Sequence, residues 1–183
     1  MHSTHHVRLQ VRRAEPALTV DSMAFPTSHA SVALSNDLRA VFCAGGRLLS
    51  YAEVHELGLS STELWDLAAE HTIQAQVQIR THPLGGIEVA AAPGSAVDWL
   101  AHPHSYWLLH HHLTRILGGV IVYFAPTQST LLAAPWMPAQ LPKIQAWAAQ
   151  AYAAAGADAL LKRAVMYQRG YPASLTKQFA TAH

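Results

Sequence analysis

The eight residues IQAQVQIR, Ile73 to Arg80, alternate apolar or small side chains with polar ones without a break, and the turn-forming THPLGG leads from them into a second run, IEVAAA. Alternation of period two places Ile73, Ala75, Val77 and Ile79 on one face of a strand and Gln74, Gln76, Gln78 and Arg80 on the other. A short glycine-containing connection returns the next strand antiparallel beside it. A chain with such a hairpin is committed to an antiparallel sheet with one packed face and one wet face.

Other segments repeat the pattern. LRAVFCA and RLLSYA flank Gly45-Gly46, a two-residue hairpin signal, and VIVYFA and TLLAA flank PTQS as a third hairpin. Helices stand between these pairs. One is expected to open near Ser50, and another at Ser60, whose Glu63 three residues on completes a capping box. Leu64, Leu67, Ala68 and His71 then follow as its buried stripe. AHPHSYWLLHHHLTRILGG, Ala101 to Gly119, predicts a helix from about Ser105 to Leu117, stopped by Gly118-Gly119. From Pro142, the residues Ile144, Trp147, Ala148, Ala151, Tyr152 and Ala155 keep a helical stripe ended by Gly156. A further helix is expected around ADALLKRAVMYQ, ending near Gly170. Hairpins separated by helices define an α+β fold, a largely antiparallel sheet packed with several helices and followed by a C-terminal helical segment. The expected division is an N-terminal arm over 1–36, one domain over 37–170 and a tail over 171–183.

Composition limits the function classes. Of 183 residues, 51% are hydrophobic and 13% charged, which is the balance of a chain that folds. Twelve Lys and Arg against eleven Asp and Glu leave no net field to draw the protein to nucleic acid or to an anionic membrane. Neither is expected as a partner. The N-terminal stretch lacks the continuous apolar region of a signal peptide, no apolar run reaches 18 residues, and a lone Cys43 excludes an intramolecular disulfide framework. A cytoplasmic location is expected.

No catalytic motif is visible. The Gly-Gly pairs fit neither phosphate-loop pattern and sit where turns are needed. Cys43 lies in an apolar run, where a thiol behaves as a small hydrophobe. GxSxG and HExxH are both absent, and the acidic residues are scattered. Histidine is the feature that stands out, with thirteen residues. On a helix, His110 and His112 fall on the two shoulders of the apolar face and His111 on the opposite side, so the three cannot share one metal ion. His102 and His104 differ, because an extended loop lets both point to one ion with an acid such as Asp98 nearby. They are the candidate ligands for a divalent transition metal. His71 reads as a helix C-terminal cation or a core residue. Trp136, between prolines and beside Met137, reads as an exposed anchor for a partner.

From Val54 to Ala134 the order of elements resembles an uncharacterised bacterial family described as YtpQ-like. The residues that carry it are LGLSSTELWDLAAEH, a capped helix; YWLLHHHLTRILGG, a helix ending in glycine; and VIVYFAPTQSTLLAA, a strand, proline turn and strand. In the family that turn tends to carry an Arg-Asp pair, where this chain has Gln128-Ser129. The resemblance implies an α+β fold and an intracellular location and assigns no catalytic residue.

The expectation is therefore a protein-interaction module of the cytoplasm, without catalytic activity or resident cofactor, that contacts a protein partner or a second copy of itself as a homodimer through an exposed aromatic and Ala-rich C-terminal helical surface, with Trp136 and Met137 as candidate interface residues. The alternative is a metal-binding protein or metal-dependent enzyme built on the His102/His104 loop.

Overall fold

The computed structural model describes residues 7–14 and 28–175. Two antiparallel sheets sandwich a helical layer. The first sheet has the order β1 (Arg8–Arg13), β3 (Leu38–Ala44), β2 (Ser31–Ala33), with β4 (Arg47–Leu48) also paired to β3. Gly45 and Gly46, with φ of 58° and 82°, close the β3–β4 turn in the left-handed conformation that a tight hairpin requires. Residues 7–14 and 28–36 belong to this sheet rather than to a free arm. Val7, Leu9 and Val11 are buried, and β1 pairs with β3 along its whole length. The rest of the expected arm, 1–6 and 15–27, lies outside the described residues.

Helices α1 (Tyr51–Glu56) and α2 (Ser61–Thr72) both start in capping boxes. Ser50 and Ser60 each accept a hydrogen bond from the amide three residues on, and Glu53 and Glu63 each accept one from the cap amide at 2.8 Å. After α2 the chain keeps turning longer than its alternation predicts. Ile73 caps the helix and the Ala75 amide donates to the Thr72 carbonyl, so the strand begins at Gln76.

The second sheet has the order β10-β9-β7-β8-β6-β5, with β5 (Gln76–Thr81), β6 (Ile87–Ala92), β7 (Ile121–Thr127), β8 (Thr130–Pro135), β9 (Val165–Gln168) and β10 (Tyr171–Ser174). A 3-10 helix, Ala96–Ala101, and α3 (Pro103–Leu117) link β6 to β7, and α4 (Leu141–Ala154) links β8 to β9. The helix expected around ADALLKRAVMYQ is a correction: a single 3-10 turn, Gly156–Asp158, precedes β9, and Arg169-Gly170, both at positive φ, form the hairpin turn into β10. Val165 is buried as the Cα partner of Tyr123, so strand pairing with the central β7 overrides the local helical propensity. The expected tail thus supplies an edge strand as far as Ser174, and 176–183 lies outside the described residues.

The main core lies between the sheets, where Leu9, Val11 and Phe42 of the first and Tyr123, Leu131 and Ala133 of the second enclose Leu64, Ala68, Leu100, Leu109 and Leu113. A smaller core lies on the far face of the second sheet, where Val122, Phe124, Leu132 and Ala134 meet Ile144 and Ala148 of α4. Architecture and composition together are those of an α+β protein. Among the described residues no helix is long and apolar enough to cross a membrane.

Candidate functional site

Three places gather polar or exposed apolar side chains. The first is a cleft of about 310 Å³ lined by Gln10 of β1, Gly94, Ser95 and Asp98 at the 3-10 helix, Gln128 and Ser129 of the β7–β8 turn, and Asp158. Local sequence builds its floor. Ser95 caps the 3-10 helix by accepting from the Val97 amide, and Asp98 three residues on accepts from the Ser95 amide at 3.1 Å, a reciprocal capping box. The other carboxylate oxygen accepts from the Val11 amide at 2.9 Å and so ties the helix to the edge of the first sheet. Asp98 is only 7% exposed. Burial pushes its carboxyl up to about 7, against the opposing pull of those two amides and of the Arg12 guanidinium. A carboxyl that exchanges its proton near neutrality is thus held at the foot of a polar cleft. The Arg12 Nε beside it is buried with no hydrogen-bond partner among the described residues.

The second place is the histidine-rich start of α3. His102 is the N-cap: its Nδ1 accepts from the His104 amide at 3.0 Å, and its Nε2 lies 3.0 Å from Asp66 Oδ1 on α2. An acceptor Nδ1 leaves Nε2 as the donor, so the geometry selects the tautomer protonated on Nε2. Trp65 packs edge-on against the same ring with centroids 4.4 Å apart. His104 Nε2 stands 3.9 Å from Glu70 Oε1, one turn further along α2. The carboxylates facing these two histidines are therefore Asp66 and Glu70, whereas Asp98 is buried against β1. Both ring nitrogens of His102 already serve protein hydrogen bonds. Among the described residues no three His, Cys, Asp or Glu side chains converge as a metal-holding group.

Other described histidines serve separate contacts. His110 Nδ1 is 2.8 Å from the hydroxyl of the fully buried Tyr123, and Tyr106 stacks face to face on Tyr167, whose hydroxyl donates to the Leu100 carbonyl. Burial, and secondarily the neighbouring His111, lower the His110 pKa below its ordinary 6.5, which keeps it neutral inside this aromatic cluster. His111 stacks on Trp107 on the exposed side of α3, and His82 packs against Trp147 of α4. His71 Nδ1 donates to the Val7 carbonyl at 2.8 Å. Cys43 is half-buried, and burial raises its thiol pKa, which disfavours the nucleophilic thiolate.

The third place lies where α3 ends and β8 leaves the sheet. The Trp136 amide donates to the Val120 carbonyl at 2.7 Å, which sets Val120 across from Trp136 and next to Met137. Ile116 precedes them by one Gly-Gly turn. Trp136 is half-buried against the smaller core, while Ile116, Val120 and Met137 are 48%, 55% and 44% exposed. The apolar surface there is thus carried by Met137 and by two residues, Ile116 and Val120, that sequence reading did not single out. Neither has a motif that marks it. The Asp98 cleft was missed as well; the Ser95/Asp98 spacing signals a cap but not burial beneath a distant strand.

No family model, no curated protein and no solved structure matches this chain.

Proposed function

We propose that this chain is a protein-interaction module of the cytoplasm, acting by contact rather than by catalysis, and that its partner seats on the apolar surface formed by Ile116, Val120 and Met137 beside Trp136. The observation that carries the reading is the exposure of three large apolar side chains, each about half exposed: Ile116 at the end of α3, and Val120 and Met137 on either side of the Trp136–Val120 backbone hydrogen bond. Large apolar side chains left exposed near one another mark contact surfaces. Trp136 supports it from beneath as a partly buried aromatic, the residue type enriched in binding hot spots. His112 and Arg115, both exposed on α3 next to Ile116, give the surface a basic rim suited to a partner with acidic residues at its own rim.

A photo-crosslinking residue at position 137, in cells that carry the gene, is expected to give a discrete protein adduct. Val120→Glu should abolish that adduct, while a probe at the exposed Gln150 should give none. Absence of an adduct from position 137, or equal yields at 137 and 150, would overturn the proposal.

A further inference from the structure

We propose that β5 is the seam of a homodimer, in which its outer edge pairs antiparallel with β5 of a second copy and joins two six-stranded sheets into one. The surface is distinct from the Val120–Met137 corner, and the inference stands apart from that reading.

An exposed strand edge offers unpaired amides and carbonyls to any passing chain, and proteins usually blunt such edges. This molecule blunts the others. Along the edge of β1 the Leu9 amide donates to Thr72 Oγ1 at 3.2 Å, the Val11 amide to Asp98 Oδ1 at 2.9 Å, and the Val7 carbonyl accepts from His71 Nδ1 at 2.8 Å. β2 is only three residues long, and β10, the opposite edge of the second sheet, is four residues long and carries Pro172. β5 has none of these devices. It runs six residues in unbroken register with β6, without bulge, proline or lysine, and its one charge, Arg80, is tied within the same hairpin to Glu88 at 3.2 Å. Among the described residues no strand covers it.

The hairpin also fixes which groups face outward. The His82 amide donates to the Gly86 carbonyl at 3.1 Å and the His82 carbonyl accepts from the Gly85 amide at 2.9 Å, so both backbone groups of His82 face the second arm of the hairpin. Alternation then turns the backbone groups of Arg80, Gln78 and Gln76 toward β6, leaving those of Val77, Ile79 and Thr81 pointing away from the sheet. A twofold axis at Ile79 opposes Ile79 to Ile79 of the second copy, Val77 to its Thr81, and Gln78 to its Arg80. That register pairs every outward group, about six backbone hydrogen bonds. It sets the partly exposed Ile79, 39% accessible, against its own symmetry mate. Amide faces guanidinium on the other side, and no like charges stand opposite each other. An axis at Gln78 leaves the Thr81 groups unpaired, and one at Arg80 sets two guanidinium groups face to face. The strand is thus self-complementary in one register. A seam of this length is smaller than a standard stable interface, so the dimer forms in the micromolar range.

The test is sedimentation equilibrium of the full chain from about 1 to several hundred micromolar, for wild type, Ile79→Lys and Val120→Glu. Wild type and Val120→Glu are expected to dimerise alike. Ile79→Lys, which sets two ammonium groups against each other across the axis, should weaken the dimer at least tenfold while circular dichroism stays unchanged. As a readout that does not depend on the lysine variant folding, Ile79→Cys in a Cys43→Ser background should form an intermolecular disulfide under mild oxidation far faster than Gln150→Cys. A strict monomer would overturn the proposal. So would a dimer that survives Ile79→Lys, a dimer lost only in Val120→Glu, or a monomer whose Ile79 amide is protected from exchange by another part of its own chain.

Discussion

Replacing Asp98 by Asn separates two opposing effects that meet in one side chain. The wild-type carboxyl accepts amides on both oxygens, which favours the anion, yet its burial outweighs them and lifts the pKa from 3.8 to about 7. Between these values the unfolded chain gives up its proton and the folded one keeps it. The stabilisation is therefore fully present below about pH 4, falls as pH rises and is gone above about pH 7, a change of ~4 kcal/mol at about 1.4 kcal/mol per pH unit. Asn has the same shape and no charge. Its amide nitrogen faces one of the two backbone donors and leaves it unsatisfied, at a cost of about 1–3 kcal/mol that does not vary with pH. Chemical denaturation of both proteins from pH 5 to pH 8 is the assay, and the difference between them cancels the titration of the thirteen histidines they share. The variant is expected to gain roughly 3 kcal/mol on wild type across that range. It should be the less stable protein at pH 5 and equal or more stable at pH 8. Parallel profiles would show that the two amides and Arg12 hold the carboxyl at its ordinary value, and would refute the burial argument.

Gly86→Ala is expected to cost more than about 2 kcal/mol, because φ is +85° and a Cβ there would stand 2.4 Å from the Ala133 carbonyl oxygen, whereas Gly119→Ala, at φ +62° in open space, should cost only about 1 kcal/mol. Equal melting temperatures for the two would sink the steric argument. The His110 ring should titrate below 6.5 by NMR, since burial depresses its pKa. Its stabilising contribution is present above pH 6.5 and lost as pH falls below it, and a midpoint at or above 6.5 would contradict its placement beside Tyr123. His102→Ala should cost about 1 kcal/mol through loss of the α3 cap, and His102→Asn, which also accepts the His104 amide, should recover most of it. A His102→Asn variant as unstable as alanine would show that the contacts with Asp66 and Trp65, rather than the cap, fix this residue.

What could be read from the sequence was local. The capping boxes at Ser50 and Ser60 each lie within four residues, Gly45-Gly46 sits between the strands it joins, and the stripe of α4 repeats within its own length, so each element carries its own signature. What escaped was pairing at a distance. Val7, Leu9 and Val11 alternate with polar residues, but nothing in residues 8–13 shows that their partners lie at 38–43. The segment ADALLKRAVMYQ has the composition of a helix, and pairing with β7 at Val165–Tyr123 and with β10 along 165–168 makes its end a strand. Asp98 follows the same rule: its cap to Ser95 is legible from spacing, while the bond to Val11, 87 residues away, turns a cap into a buried carboxyl.

The histidines take this one step further. A histidine is legible as a ligand or switch only when its partners are near in sequence, and here several of them bond to backbone. His82 and His102 accept amides two residues on, and His71 donates to a carbonyl 64 residues away. Imidazole suits that task because it is both donor and acceptor on a short, rigid stem. A chain with few lysines and arginines thus fastens single backbone groups with imidazole. His71, His82 and His102 are fastened in this way, whereas His104, His110 and His111 meet side chains.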